Sequence, residues 1–138
     1  MKILFVGDIV GKPGRSLTRT GVPALVAHHG IDLVIANVEN AAGGKGITRE
    51  IGETFRDQGI QVMTSGNHVW DKREALDYIG LEPRLIRPAN YPDGVPGYGH
   101  VVTTTTANES VAVVNALRYG VIPPTINLDN PDEGFDLD

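Results

Sequence analysis

Three apolar runs punctuate the first eighty positions: KILFVG at 2–7, DLVIAN at 32–37 and IQVMTSG at 60–66. Each has strand length and is nearly continuous in hydrophobicity. Strands buried on both faces look like this, because helices cover each side of a parallel sheet. The stretches between them are long enough for crossover helices. The first is predicted over 13–29, with Pro13 near a first-turn position and Pro23 imposing a kink or break. The second starts after Thr48, an N-cap residue, and stops at Gly59. The third starts at Asp71, where Glu74 three residues later suggests a capping box. A β-α-β-α-β-α order with right-handed crossovers predicts an α/β fold, a three-layer parallel-sheet unit.

The pattern changes after residue 80. Residues 81–99 hold Pro83, Pro88, Pro92 and Pro96 among several glycines, which predicts a long irregular segment of the kind that is often functional. HVVTTTTA (100–107) and SVAVVNA (110–116) read as two strands joined by a turn at Asn108-Glu109. The last stretch carries Asp129, Asp132, Glu133, Asp136 and Asp138 with no base among its final ten residues. Its composition predicts an extended, poorly packed tail.

Composition narrows the function classes. With 138 residues the chain is one domain's worth, and 41% hydrophobic against 21% charged residues is ordinary for a folded protein. No cysteine is present, which excludes disulfides, thiolate metal sites and thiol nucleophiles. A net charge of −5 argues against a grip on a nucleic-acid polymer, though not against a small phosphate ester. No apolar run is long enough to span a membrane, and the start is too short in apolar residues for a signal peptide, so a cytoplasmic location is expected.

Ligands of an open parallel sheet gather beyond the carboxyl ends of its strands. Those positions are GDIVGKPG with Asp8, NVENAAGG with Glu39 and Asn40, and GNHVWD with Asn67 and His68. Two carboxylates, two amides and an imidazole thus converge on one rim. Carboxylates and amide oxygens suit Mn, Mg or Fe, and a dinuclear centre activates water and clamps phosphoryl oxygens. An imidazole beside it can protonate a leaving alkoxide. Taken singly, Asp8 reads equally as a cap or turn residue, Asn67 as a turn former and His68 as a surface histidine. GDIVGKPG is not a P-loop: its spacing is one residue short, and Pro13 replaces the hydroxyl residue. Trp70 reads as packing under the loop or as a flank for a substrate base.

The runs MKILFVGDIVGKPGR, VIANVENAAGGKGIT, TSGNHVWDKRE and RLIRPANYPDGVPGYG resemble the YmdB-like metallophosphoesterases, a branch of the calcineurin-like phosphoesterase superfamily. The likeness covers residues 1 to about 115. It implies a 2′,3′-cyclic-nucleotide-type phosphodiesterase on an αββα sandwich, of which this chain would form half. It also implies a divalent metal cofactor, iron or manganese first and magnesium second, and a small phosphodiester substrate. By the same resemblance Asp8 is a ligand of the first metal, Glu39 the bridging carboxylate and Asn67 a ligand of the second metal. His68 is then the proton donor, and Asn40 lies near the substrate phosphate. Val10 stands where the wider superfamily has a histidine, as is usual in this branch.

The family's remaining metal ligands are histidines of a second half, whereas this chain has His28, His29, His68 and His100 and none beyond. Residues 116–138, ALRYGVIPPTINLDNPDEGFDLD, instead resemble a segment near the C-terminus of β-ketoacyl-acyl-carrier-protein synthases. The expected organisation is therefore a chimera: a truncated metallophosphoesterase-like domain at 1–115 and an extended ketosynthase-like tail at 116–138. A shell without imidazoles holds metal weakly, which predicts impaired turnover. The alternative is an inactive, structural or oligomerising module. With part of the second sheet missing, an apolar face is left exposed, and a homo-oligomer is the expected way to cover it.

Overall fold

The computed structural model describes residues 1–115. Strands β1 (Ile3–Val6), β2 (Leu33–Asn37), β3 (Val62–Thr64) and β4 (Leu85–Ile86) form one sheet in the order β1-β2-β3-β4. All three pairings are parallel, with Ile3 opposite Leu33, Ile35 opposite Val62 and Met63 opposite Leu85. Helices α1 (Gly11–His29), α2 (Arg49–Asp57) and α3 (Arg73–Leu81) are the crossovers, and a 3-10 turn, Asn67–Asp71, precedes α3. Strands β5 (His100–Thr104) and β6 (Ser110–Val114) pair antiparallel as a separate hairpin. The acidic tail expected at 116–138 lies outside the described residues.

Because neighbouring strands follow in chain order, right-handed crossovers place every helix on one face. The core records this. Val22, Phe55, Ala75 and Ile79 from the helices pack with Val34, Ala36, Met63 and Leu85 from alternate strand positions. The opposite face carries Leu33, Ile35, Val62 and Ile86, and the hairpin covers them with Val101, Val111 and Val113. The three layers are therefore helices, parallel sheet and hairpin. The continuous apolar runs do reflect burial on both faces, but a hairpin supplies the second cover in place of helices. Cover stops short of β1, where Ile3 and Phe5 remain 46% and 59% exposed.

Local expectations were corrected at three points. Helix α1 begins at Gly11 rather than Pro13 and runs unbroken through Pro23, which sits on its solvent side. No capping box forms at Asp71: that residue ends the 3-10 turn, and α3 starts at Arg73 without a side-chain cap. Strand β4 lies inside the proline-rich segment that predicted only irregular chain. Thr48 caps α2 as expected, its hydroxyl accepting from the Ile51 amide at 3.3 Å.

Helices α2 and α3 meet at a glycine. A Cβ on Gly52 would overlap the Tyr78 hydroxyl, so the site excludes alanine despite its better helix propensity. Tyr78 is only 3% exposed, and its hydroxyl has no hydrogen-bond partner among the described residues. Burial, helped by the nearby Glu82 carboxylate, pushes its pKa up from 10.0 to about 12, against the opposing pull of Arg56 and Arg49. The fold thus favours the neutral phenol. That contribution to stability is fully present below pH 10.0 and is lost as pH rises towards about 12. In an ultraviolet alkaline titration, one of the four tyrosines should ionise late and together with unfolding. Tyr78→Phe should abolish that late phase; a late phase that survives the substitution would assign it to another tyrosine.

Candidate metal and proton-transfer site

Parallel pairing of three consecutive strands brings their carboxyl ends to one rim. Backbone bonds prolong the ladder beyond the strands: the Ile9 amide donates to the Asn37 carbonyl at 3.1 Å and the Val38 amide to the Thr64 carbonyl at 2.9 Å. Asp8, Glu39, Asn40, Asn67 and His68 all leave the sheet at this edge.

Asn40 joins most of them. Its carbonyl accepts the amides of Gly11 at 2.9 Å and Gly44 at 3.1 Å, which fixes its backbone between the start of α1 and the following loop. Its side-chain Nδ2 donates to Asp8 Oδ2 at 2.8 Å, and its Oδ1 lies 2.6 Å from His68 Nδ1. A carboxylate only accepts, so the amide must turn its NH2 to Asp8 and its oxygen to His68. His68 Nδ1 therefore carries a proton. Nε2, with no protein partner among the described residues, is left as the nitrogen that can take up or release one.

Glu39 is held from the third strand end. The His68 backbone amide donates to its Oε2 at 3.2 Å, and its own amide donates to Asn37 Oδ1 at 3.3 Å. Its carboxylate lies directly over Gly66, where an added Cβ would overlap Oε2. Gly66 is thus a matter of space. Gly46, at φ +75° in the loop after Asn40, is a matter of backbone conformation as well as space.

Two carboxylates leave neighbouring strand ends without a cationic partner: neither Asp8 nor Glu39 is ion-paired among the described residues. That uncompensated charge and the oxygen donor set fit a divalent cation held by Asp8 and Glu39. Asn67 is exposed at the start of the 3-10 turn and free of protein partners among the described residues, so its amide oxygen can join them. No three His, Asp or Glu side chains gather at metal-holding spacing among the described residues. These side chains would make only part of a shell.

Three contributors carried no sequence signal of their own. Arg15 of α1 donates to the Ala41 carbonyl and braces the loop bearing Glu39 and Asn40. Asn37 caps the Glu39 amide. Asn115 donates to the Ser65 carbonyl at 2.5 Å, tying the end of β6 to the approach to Gly66. Trp70 packs against the helix-side core and stacks edge-on with Tyr91 at 5.6 Å, which favours the packing reading. His28 and His29 lie in the last turn of α1, away from this rim.

Comparison with known proteins gives the arrangement a context. The 2′,3′-cyclic-nucleotide 2′-phosphodiesterase of Bacillus subtilis (strain 168) is 44% identical over 132 residues, which are 95% of this chain and 48% of that protein. The chain thus spans about half the length of this curated relative. A hypothetical protein from Thermus thermophilus superposes with a TM-score of 0.79 at 35% identity, covering 89% of this chain and 48% of that one. A phosphatase from Mycoplasma pneumoniae gives 0.79 at 30% identity, over 90% and 45%. The fold is accordingly a three-layer unit matching about half of these structures. A separate, partial likeness is to 3-oxoacyl-acyl-carrier-protein synthase 2 of Coxiella burnetii, 55% identical over 40 residues, 29% of this chain and 10% of that enzyme. The YmdB-like protein family matches residues 4–136, and the chain belongs to that family.

Proposed function

We propose that the rim is one side of a two-metal phosphodiesterase centre for a 2′,3′-cyclic-nucleotide-type phosphodiester, and that turnover by this chain is impaired. The observation that carries the reading is the hydrogen-bonded series from Asp8 through Asn40 to His68, with Glu39 bonded to the His68 backbone. Asp8 and Glu39 would hold the first cation, Glu39 would bridge, and Asn67 would serve the second; iron or manganese fits the reading best. Bound metal supplies an activated water and neutralises phosphoryl charge. His68 releases a proton from Nε2 to the leaving alkoxide. Asn40 sits beside the phosphate, and because both ends of its amide are engaged, its contribution is to orient Asp8 and His68. The phosphodiesterase relative supports the substrate class. Impairment follows from the incomplete shell, since a cation held by two carboxylates and an amide lacks imidazoles. A chimeric tail at 116–138 is the reading that a ketosynthase likeness over 40 residues would favour, while the family match itself runs to residue 136.

A specific observation favours a second reading, an inactive oligomerising module. Among the described residues strand β1 is an edge of the sheet, and the hairpin stops short of it on the face it covers, leaving Ile3 and Phe5 exposed. A second copy pairing there would bury both residues.

Metal analysis combined with hydrolysis of bis-p-nitrophenyl phosphate in added manganese separates the readings. The expected result is weak metal uptake with slow turnover, both lost in Glu39→Ala. Gly66→Ala, which displaces the Glu39 carboxylate, should lower metal affinity by about 10- to 100-fold. Tight stoichiometric metal with fast turnover overturns the impairment; neither metal nor turnover under any condition leaves the module. Sedimentation at micromolar concentration tests the second copy: a dimer that dissociates in Phe5→Lys is expected, and a wild-type monomer rules it out.

A further inference from the structure

One cleft among the described residues lies away from the rim. It lies between α1 and α2, on the helix layer, with a volume of about 450 Å³, within the range of small-molecule sites. One wall is a face of α1 bearing Lys12, Arg15 and Arg19, at spacings of three and four residues. The other wall is α2 with its two flanking residues: Thr48 before it, the single carboxylate Glu50 on it and Gln58 after it. Three cations against one carboxylate make this cleft strongly basic on a chain whose net charge is −5.

The charges are not consumed internally. Arg15 is committed to the Ala41 carbonyl, but Lys12 and Arg19 are exposed and form no ion pair among the described residues, not even with Glu50. Two free cations facing one small cavity suit a dianion. Gln58 Oε1 adds an acceptor that is buried and unpartnered among the described residues. An unmet buried acceptor calls for a donor.

We propose that this cleft is a second anion site, separate from the rim, for a small phosphate monoester that also carries a hydrogen-bond donor. Lys12 and Arg19 take the phosphate, and Gln58 accepts from the donor group. The proposal does not depend on the rim chemistry, since no rim side chain lines the cleft. Arg15 borders both, because the loop it braces carries Glu39 and Asn40.

Titration of the full chain with adenosine 3′-monophosphate and with inorganic phosphate, in chelator, tests it by calorimetry and amide chemical shifts. Nucleotide binding, with shifts on α1 and α2, is expected, and inorganic phosphate should bind more weakly because it lacks the donor-bearing body. Lys12→Glu and Arg19→Glu should each weaken the nucleotide by about tenfold or more, whereas Asn40→Ala should leave it unchanged. Both charge reversals are at exposed positions, and an unaltered thermal midpoint confirms their folding. Binding unaffected by both reversals, binding lost in Asn40→Ala, or no binding at millimolar nucleotide overturns the proposal. Equal affinity for the two probes overturns the role given to Gln58 and reduces the site to one for free phosphate.

Discussion

A parallel sheet whose strands lie side by side in chain order can be wound in only one way. Each crossover is right-handed, so each helix falls on the same face. Everything else in this protein depends on that constraint. It makes three consecutive strand ends immediate neighbours, which is why Asp8, Asn40 and His68 can touch although 32 and 28 residues separate the bonded pairs. It also leaves the other face without helices, so an apolar surface formed by Leu33, Ile35, Val62 and Ile86 has to be covered by some other element. The hairpin does this for the central strands. At the outermost strand it does not, and Ile3 and Phe5 face solvent. The candidate rim and the uncovered edge have the same origin.

Much of this was legible in the residues, and the parts that were not share a cause. Long apolar runs are a local signal, so β1, β2 and β3 could be read, and with them the residues just past each end. Thr48 and the Asn108 turn were readable for the same reason: a cap and a left-handed turn residue act within a few positions. Strand β4 is two residues long and exists because Met63 and Thr64 pair with Leu85 and Ile86; nothing in its own neighbourhood announces it. Pro23 breaks helices by rule, yet α1 continues past it, with the ring on the solvent side. Gly66 is the floor under a carboxylate supplied by a different strand, a contact that its own neighbours in sequence do not announce. The identity of the second cover, a hairpin rather than helices, was hidden because burial on both faces looks the same whichever element provides it.

The rim would serve the proposed chemistry in two unequally complete ways. Proton handling needs one imidazole with a fixed tautomer, and the neutral Asn40 amide fixes it through bonds to Asp8 and His68 that involve no cation. Charge handling is different. Asp8 and Glu39 bring two negative charges to neighbouring strand ends with no positive side chain bonded to either. Like charges so placed repel, and a bound cation reverses the sign of that interaction. Any metal that binds the folded chain also stabilises it by mass action. A shell made mostly of carboxylate oxygens captures such a cation by charge, while imidazoles with ordered partners are what fix its geometry. The described residues thus bring two carboxylates to neighbouring strand ends and an imidazole oriented by Asn40, and no cluster of three His, Asp or Glu side chains at metal-holding spacing forms among them.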